Sequence, residues 1–220
     1  MLVTSRSYDE YAAMFGLTDA DLSGRLLDCS AGAAGFVARA ADHGCRATAV
    51  DPAYALPRAE LAAAGRADLD RGNAIATQHP DRFGWDWFGS PERRRQLRLR
   101  ALAEFATDLV AHPSRYVCGQ LPRLPFRDSA FDLVLCSHLL FTWADTFGQG
   151  WHLAALSELA RVGREVRVFP TVMQGRGDPV PFWDALMAGL ADAGLTAELR
   201  RVEYSFQVGA DQMLVLTSTG

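Results

Sequence analysis

The chain has 220 residues, of which 49% are hydrophobic, and a formal net charge of −4; that suffices for one buried core and leaves no overall positive field to hold nucleic acid or an anionic membrane surface. All 22 basic residues are arginine, which excludes both a Schiff-base lysine and a phosphate-loop lysine. No apolar run approaches the roughly 20 residues of a membrane span and no basic segment leads into one, so a single cytoplasmic domain is expected, monomeric or homodimeric, acting on a small molecule. Cys29, Cys45, Cys118 and Cys136 form no Cys-x-x-Cys pair; free thiols packed as small hydrophobes are expected, with no metal site.

The opening stretch SYDEYAAMFGLTDADLSG reads as a short helix, and residues 1–24 are expected to form a helical lid. From Arg25 short apolar runs alternate with helical periodicity: RLLDCS, a helix to His43 stopped by Gly44, then RATAVDP, which together make a βαβ unit. Residues 53–114 separate this unit from the next run and are read as an insertion. It contains the aromatic cluster RFGWDWFGS and a helix opened by Ser90 as N-cap with Pro91 in the first turn. That helix carries Arg93, Arg94, Arg95, Arg98 and Arg100 around a stripe of Leu97, Ala101, Phe105 and Leu109, and its arginines are expected on a solvated face. The runs RYVCGQL, FDLVLCS and REVRVFP follow, with helices predicted over WHLAALSELARV and PFWDALMAGLADAG. Strands alternating with helices predict an α/β fold, a doubly wound and mostly parallel sheet. The last two runs, AELRRVEYSFQV and QMLVLTST, are separated by a Gly-Ala-Asp turn too short for a crossover and are predicted to be antiparallel.

An open parallel sheet binds ligands at the carboxyl ends of its strands, most often at the first crossover. The stretch RLLDCSAGAAGF occupies that place, and two patterns fit it. Against Gly-x-Gly-x-x-Gly it offers Ser30, Gly32 and Gly35; against Asp-x-Gly-x-Gly-x-Gly it offers Asp28, Ser30, Gly32 and Ala34. Both need small residues so that the backbone can approach a ligand closely.

The stretch YVCGQLPRLPFRDSAFDLVLCSHLLF separates them. With Gly119, Leu124, Pro125, Phe126, Asp128, Phe131, Asp132, Leu133 and Val134 in place, it resembles the region between strands three and four of class I S-adenosylmethionine (SAM)-dependent methyltransferases. The chain is most similar to a largely uncharacterised bacterial branch with a Trp-Asp-Trp-Phe insertion and a Ser-His-Leu-Leu-Phe after strand four. The resemblance implies a Rossmann-like seven-stranded sheet with an antiparallel C-terminal strand, and SAM as cofactor.

By position, the resemblance gives Asp28 a hydrogen bond toward the methionine ammonium and places the Ser30, Ala31, Gly32 and Ala33 backbone on the cofactor. Asp51 would accept both ribose hydroxyls, with helix capping before Pro52 as the alternative. Gln120 stands where the family usually has an aspartate toward the adenine amino group, and Pro52, Leu121 and Ser137 complete the cofactor set. Methyl transfer from a sulfonium needs alignment of the acceptor and, for a hydroxyl or amine, a group to take its proton. His138, just past strand four, is the candidate base, a structural histidine being the alternative. Trp143 and His152 are candidates on the acceptor side, His152 with helix capping or surface exposure as its other reading. Tyr8 and Tyr11, together with Trp85, Trp87 and Phe88, are candidates to close over cofactor and acceptor, since aromatic faces stabilise a sulfonium; core packing is the alternative.

Four functions compete. Methyl transfer to a small molecule comes first, followed by transfer or cyclisation through the aminocarboxypropyl arm, then by SAM binding without turnover. A nicotinamide oxidoreductase is opposed by the stretch from Leu124 to Val134.

Overall fold

In a computed structural model, which describes residues 2–175 and 177–218, β1 (Arg25–Cys29) and β4 (Phe131–Ser137) lie side by side in the middle of one sheet. Their side chains alternate between two cores: Leu26 packs on one face with Phe36, and Leu27 on the other with Val134. Burial on both faces is why these strands read as continuous apolar runs.

With β2 (Arg46–Val50), β3 (Tyr116–Val117), β5 (Gly163–Phe169), β6 (Leu195–Arg201) and β7 (Gln212–Ser218), the seven-stranded sheet has the order β3-β2-β1-β4-β5-β7-β6. Only β7 runs against its neighbours, β5 and β6. The α/β, mostly parallel architecture with antiparallel C-terminal pairing is therefore as expected. The strand order reverses between β1 and β4, so the carboxyl ends of these two strands flank the crevice where open α/β sheets bind ligands.

Helices α1 (Tyr8–Phe15), α3 (Phe36–Asp42), α6 (Gln149–Val162) and α7 (Trp183–Asp192) fall where periodicity places them, while the stretch read as one short helix before β1 also holds a second, α2 (Asp19–Leu22). Gly44, at φ +79, follows the end of α3, a turn that glycine tolerates. Helix α1 packs into the core through Tyr11, Met14 and Phe15, all buried. The segment 53–114 folds as two long helices, α4 (Arg58–Gln78) and α5 (Pro91–Ala111). Ser90 caps α5 as expected, its hydroxyl accepting from the Arg93 N–H at 3.1 Å. Helix α4 escaped the periodicity reading because two of its four buried positions, Gly65 and Ala76, are small, leaving only Leu61 and Leu69 to mark the stripe.

Two expectations need correction. β6 ends at Arg201 and does not run on through the aromatics, so residues 202–211 form a loop that carries Tyr204, Phe206 and Gln207. The arginines of α5 do not share a solvated face: Arg93, Arg95 and Arg100 are exposed, whereas Arg94 and Arg98 are buried. These two continue the buried stripe of Ala101, Leu102 and Phe105 toward the N-terminus by about two further turns.

Candidate active site

A cavity of about 870 Å³ opens at the carboxyl ends of the central strands. Ser30, immediately after β1, and His138, immediately after β4, both line it, and both adopt left-handed backbone, at φ 62 and φ 53. Left-handed residues other than glycine cluster where surrounding structure holds a functional conformation. Here main-chain bonds hold both: the Ser30 N–H donates to Val50 O at 2.9 Å and the His138 N–H to Phe169 O at 2.7 Å.

His138 Nδ1 lies 2.9 Å from Ser137 Oγ, leaving Nε2 as the ring nitrogen that Ser137 does not engage. Burial, then the charges of Arg6, Arg98 and Arg94, hold the imidazole well below its usual 6.5. It is neutral at physiological pH.

Asp51, Pro52, Gln120, Leu121, Ser137 and Trp143 also line the cavity. Both Asp51 oxygens accept main-chain bonds, Oδ2 from Gly32 at 2.9 Å and Oδ1 from Ala53 at 2.8 Å. Asp51 thus caps the short helical turn Pro52–Ala55 while standing at the cavity wall. Each carboxylate oxygen keeps a second acceptor direction.

The first turn is covered from outside. Ala33 N–H donates to Thr4 O at 3.0 Å and Gly35 N–H to Arg6 O at 2.9 Å, so the residues before α1 strap the turn down. A Cβ on Gly32 would meet the Thr4 backbone at 3.0 Å, and the residue sits at φ +56, which together account for glycine there. Ala31, Gly32 and Ala33 are buried beneath the strap, and Ser30 is the turn residue that reaches the cavity. Asp28 lies under the turn, off the cavity wall, with Tyr11 Oη donating to Oδ1 at 3.1 Å and Oδ2 unpartnered.

Several sequence-selected residues lie elsewhere. Tyr8 stacks on Phe36 and His43, with ring centroids 5.8 and 4.9 Å away. Tyr11 is buried against Phe36. Trp85, Trp87 and Phe88 stand behind the cavity wall, in edge-to-face contact with Tyr204 and Phe206. Phe88 is fully buried. His152 is buried too, its two ring nitrogens 3.0 Å from Gly148 O and Leu140 O. In each case an apolar contact or a main-chain partner nearer than the cavity holds the ring.

Residues 96–165 match the family model described as a methyltransferase domain. The magnesium protoporphyrin IX methyltransferase of Synechocystis, solved with bound SAH, superposes with a TM-score of 0.51 at 14% identity, covering 96% of this chain and 82% of that one. The mitomycin 7-O-methyltransferase does so with a TM-score of 0.51 at 13% identity, covering 96% of this chain and 53% of that one. The fold is that of the class I SAM-dependent methyltransferases. An uncharacterized protein of Methanocaldococcus jannaschii is 26% identical over 216 residues, 98% of this chain and 95% of its own length.

Within this methyltransferase fold the residues that sequence reasoning missed are charged. Arg6, Arg94 and Arg98 line the cavity, each less than 10% exposed. Arg98 Nη2 donates to Glu10 Oε1 at 2.7 Å, Arg94 Nη1 to Asn73 Oδ1 at 2.5 Å, and Arg6 Nη1 to Thr4 Oγ1 at 2.7 Å. Among the described residues the Nε of all three has no hydrogen-bond partner. The Arg94 guanidinium also lies 4.9 Å from the Phe206 ring centroid, so the aromatic cluster supports an arginine. The 3.6-residue spacing of Arg94 and Arg98 with the apolar stripe was the available signal.

Proposed function

We propose that the chain is a SAM-dependent methyltransferase acting on a small-molecule acceptor. The observation that carries this reading is the cavity itself, built at the strand-order reversal from the residues after β1, β2 and β4. Its volume suits a cofactor-sized ligand. The free acceptor directions of Asp51 at the wall fit the hydroxyl donors of SAM.

SAM when bound supplies a methyl group on a positive sulfur, already activated toward in-line displacement. Asp51 holds hydroxyls, Gln120 presents an amide to the base edge, and Trp143 shapes the acceptor side. His138, kept neutral by burial and by its arginine neighbours, can accept a proton at Nε2. Water exclusion falls to the strap and to the loop at residues 202–211.

Calorimetry with SAM and NAD tests the cofactor, and mass spectrometry of products from candidate acceptors tests the reaction. Mass gain of one methyl group supports the proposal; gain of the aminocarboxypropyl arm replaces it with the other SAM chemistry. Preference for NAD removes both.

A further inference from the structure

We infer that Arg6, Arg94 and Arg98 form an anion-binding subsite for a carboxylate or phosphate group on the acceptor. This rests on the methyltransferase reading of the same cavity and names the substrate class it would take.

The argument is one of charge. Buried cations in proteins are paired with carboxylates or bound anions, because leaving water without compensation is costly. Three buried guanidiniums line this cavity, and Glu10 is the carboxylate packed among them. Its capacity is spent: Oε1 accepts from Arg98 and from Tyr204 Oη, and Oε2 from the Ser7 N–H and hydroxyl. Burial alone would push the Glu10 carboxyl up, yet Arg98, Arg6 and the Ser7 N–H hold it below its ordinary value. The other acidic groups at the cavity wall are committed elsewhere, Asp51 to Gly32 and Ala53, and Asp68 to the Val3 N–H and Arg71. Among the described residues the hydrogen-bond partners of Arg6 and Arg94 are neutral, Thr4 and Asn73.

The cofactor's methionine carboxylate could pair with one guanidinium, but the molecule as a whole does not offset the charge of three. Its carboxylate is accompanied by an ammonium, and its sulfur is itself positive, so SAM brings no net negative charge near the cluster. An anionic acceptor does. It would lie beside His138, whose imidazole feels the same three arginines, and so next to the expected site of transfer. Trp143, Phe147 and Trp151 line the same cavity and offer an apolar wall for the remainder of such a molecule. Arginine suits the task because its planar fork matches carboxylate and phosphate geometry.

The test uses the full chain, with and without saturating SAH, and three probes of similar shape: benzoate, phenyl phosphate and the neutral benzamide. At least one anion should bind about tenfold or more tightly than benzamide, the scale of a charge-assisted hydrogen bond. Which anion wins decides between carboxylate and phosphate. Arg94→Gln should abolish the preference while SAM affinity changes less than about twofold. Arg6→Gln, whose hydrogen-bond partner Thr4 is neutral, leaves Glu10 paired with Arg98 and should also abolish it; a thermal melt checks folding of both variants. No preference for either anion over benzamide, a preference that survives both variants, or a loss of SAM affinity as large as the loss of anion affinity would each overturn the inference. Because the probes are also titrated without cofactor, failure to bind SAM alone refutes the methyltransferase reading separately.

Discussion

Tyr11 donates its phenolic hydrogen to Oδ1 of Asp28 at 3.1 Å, tying α1 to the end of β1 and leaving Oδ2 buried without a partner. Burial pushes the Asp28 carboxyl up to about 8; the Tyr11 bond opposes this, Asp51 adds to it and Arg6 offsets it. Unfolded, an aspartate titrates near 3.9. Between about pH 4 and about 8 the folded chain thus keeps a proton that the unfolded chain has released, and stability falls as pH rises through that window. Asp28→Asn keeps the acceptor for Tyr11 and removes the titration. Its melting temperature should exceed that of the parent at pH 8 by about 2 °C or more, roughly the effect of 1 kcal/mol in a domain this size. Near pH 4 the difference should vanish. An equal shift at both pH values would mean that Asp28 is ionised in the folded chain.

Asp51 serves two purposes, and a single substitution separates them. Asp51→Ala removes the cap of the Pro52–Ala55 turn and the acceptor for Gly32, at about 1 kcal/mol of stability or somewhat more. If it also holds the ribose, SAM affinity should fall by about 2 kcal/mol, near thirtyfold. Calorimetry beside chemical denaturation reads both. Lost stability with undiminished SAM affinity would leave Asp51 a structural cap.

Phe88 is expected to matter for folding. Fully buried and edge-to-face with Tyr204 and Phe206, it should cost about 3–5 kcal/mol when truncated to alanine. Trp85→Ala, at a half-buried position, should cost less. Retained stability in Phe88→Ala with altered acceptor use would return the cluster to the acceptor site.

What the sequence made legible follows from the kind of signal each feature leaves. The parallel strands are apolar on both faces, so RLLDC and FDLVLCS announce themselves. The βα turn is marked by small residues, and Asp51 by its place at the end of β2. Arg94 and Arg98 were hidden because an arginine on a helix ordinarily lies on the solvated side. Only the tertiary approach of α5 to Glu10 and Phe206 buries them. The strap over the first turn is likewise a main-chain interaction, Thr4 and Arg6 carbonyls accepting from Ala33 and Gly35. Such bonds leave no mark in side-chain pattern. Trp85, Trp87 and Phe88 drew attention by their density, yet an aromatic cluster packs a core as readily as it closes a site.

His138 carries the last prediction. Its left-handed backbone is one that asparagine also tolerates, so His138→Asn should preserve the fold and SAM binding while removing Nε2. If the imidazole takes the acceptor's proton, turnover should drop by about 10²-fold. The pH profile carries the finer point. Because burial and Arg6, Arg98 and Arg94 hold the imidazole well below 6.5, the wild-type rate should be level through neutrality and fall only at more acid pH. The same shift bears on stability with a defined sign. The unfolded histidine gains its proton near 6.5 and the folded one does so later, so this contribution is complete above 6.5 and is lost as pH falls below it. His138→Asn should flatten that acid limb in thermal melts. A wild-type rate limb centred at 6.5 would show that the arginine charges do not reach the ring. Full turnover in the mutant would mean that the acceptor needs no base, as an ionised carboxylate would not, and would leave His138 to position the acceptor beside the arginines.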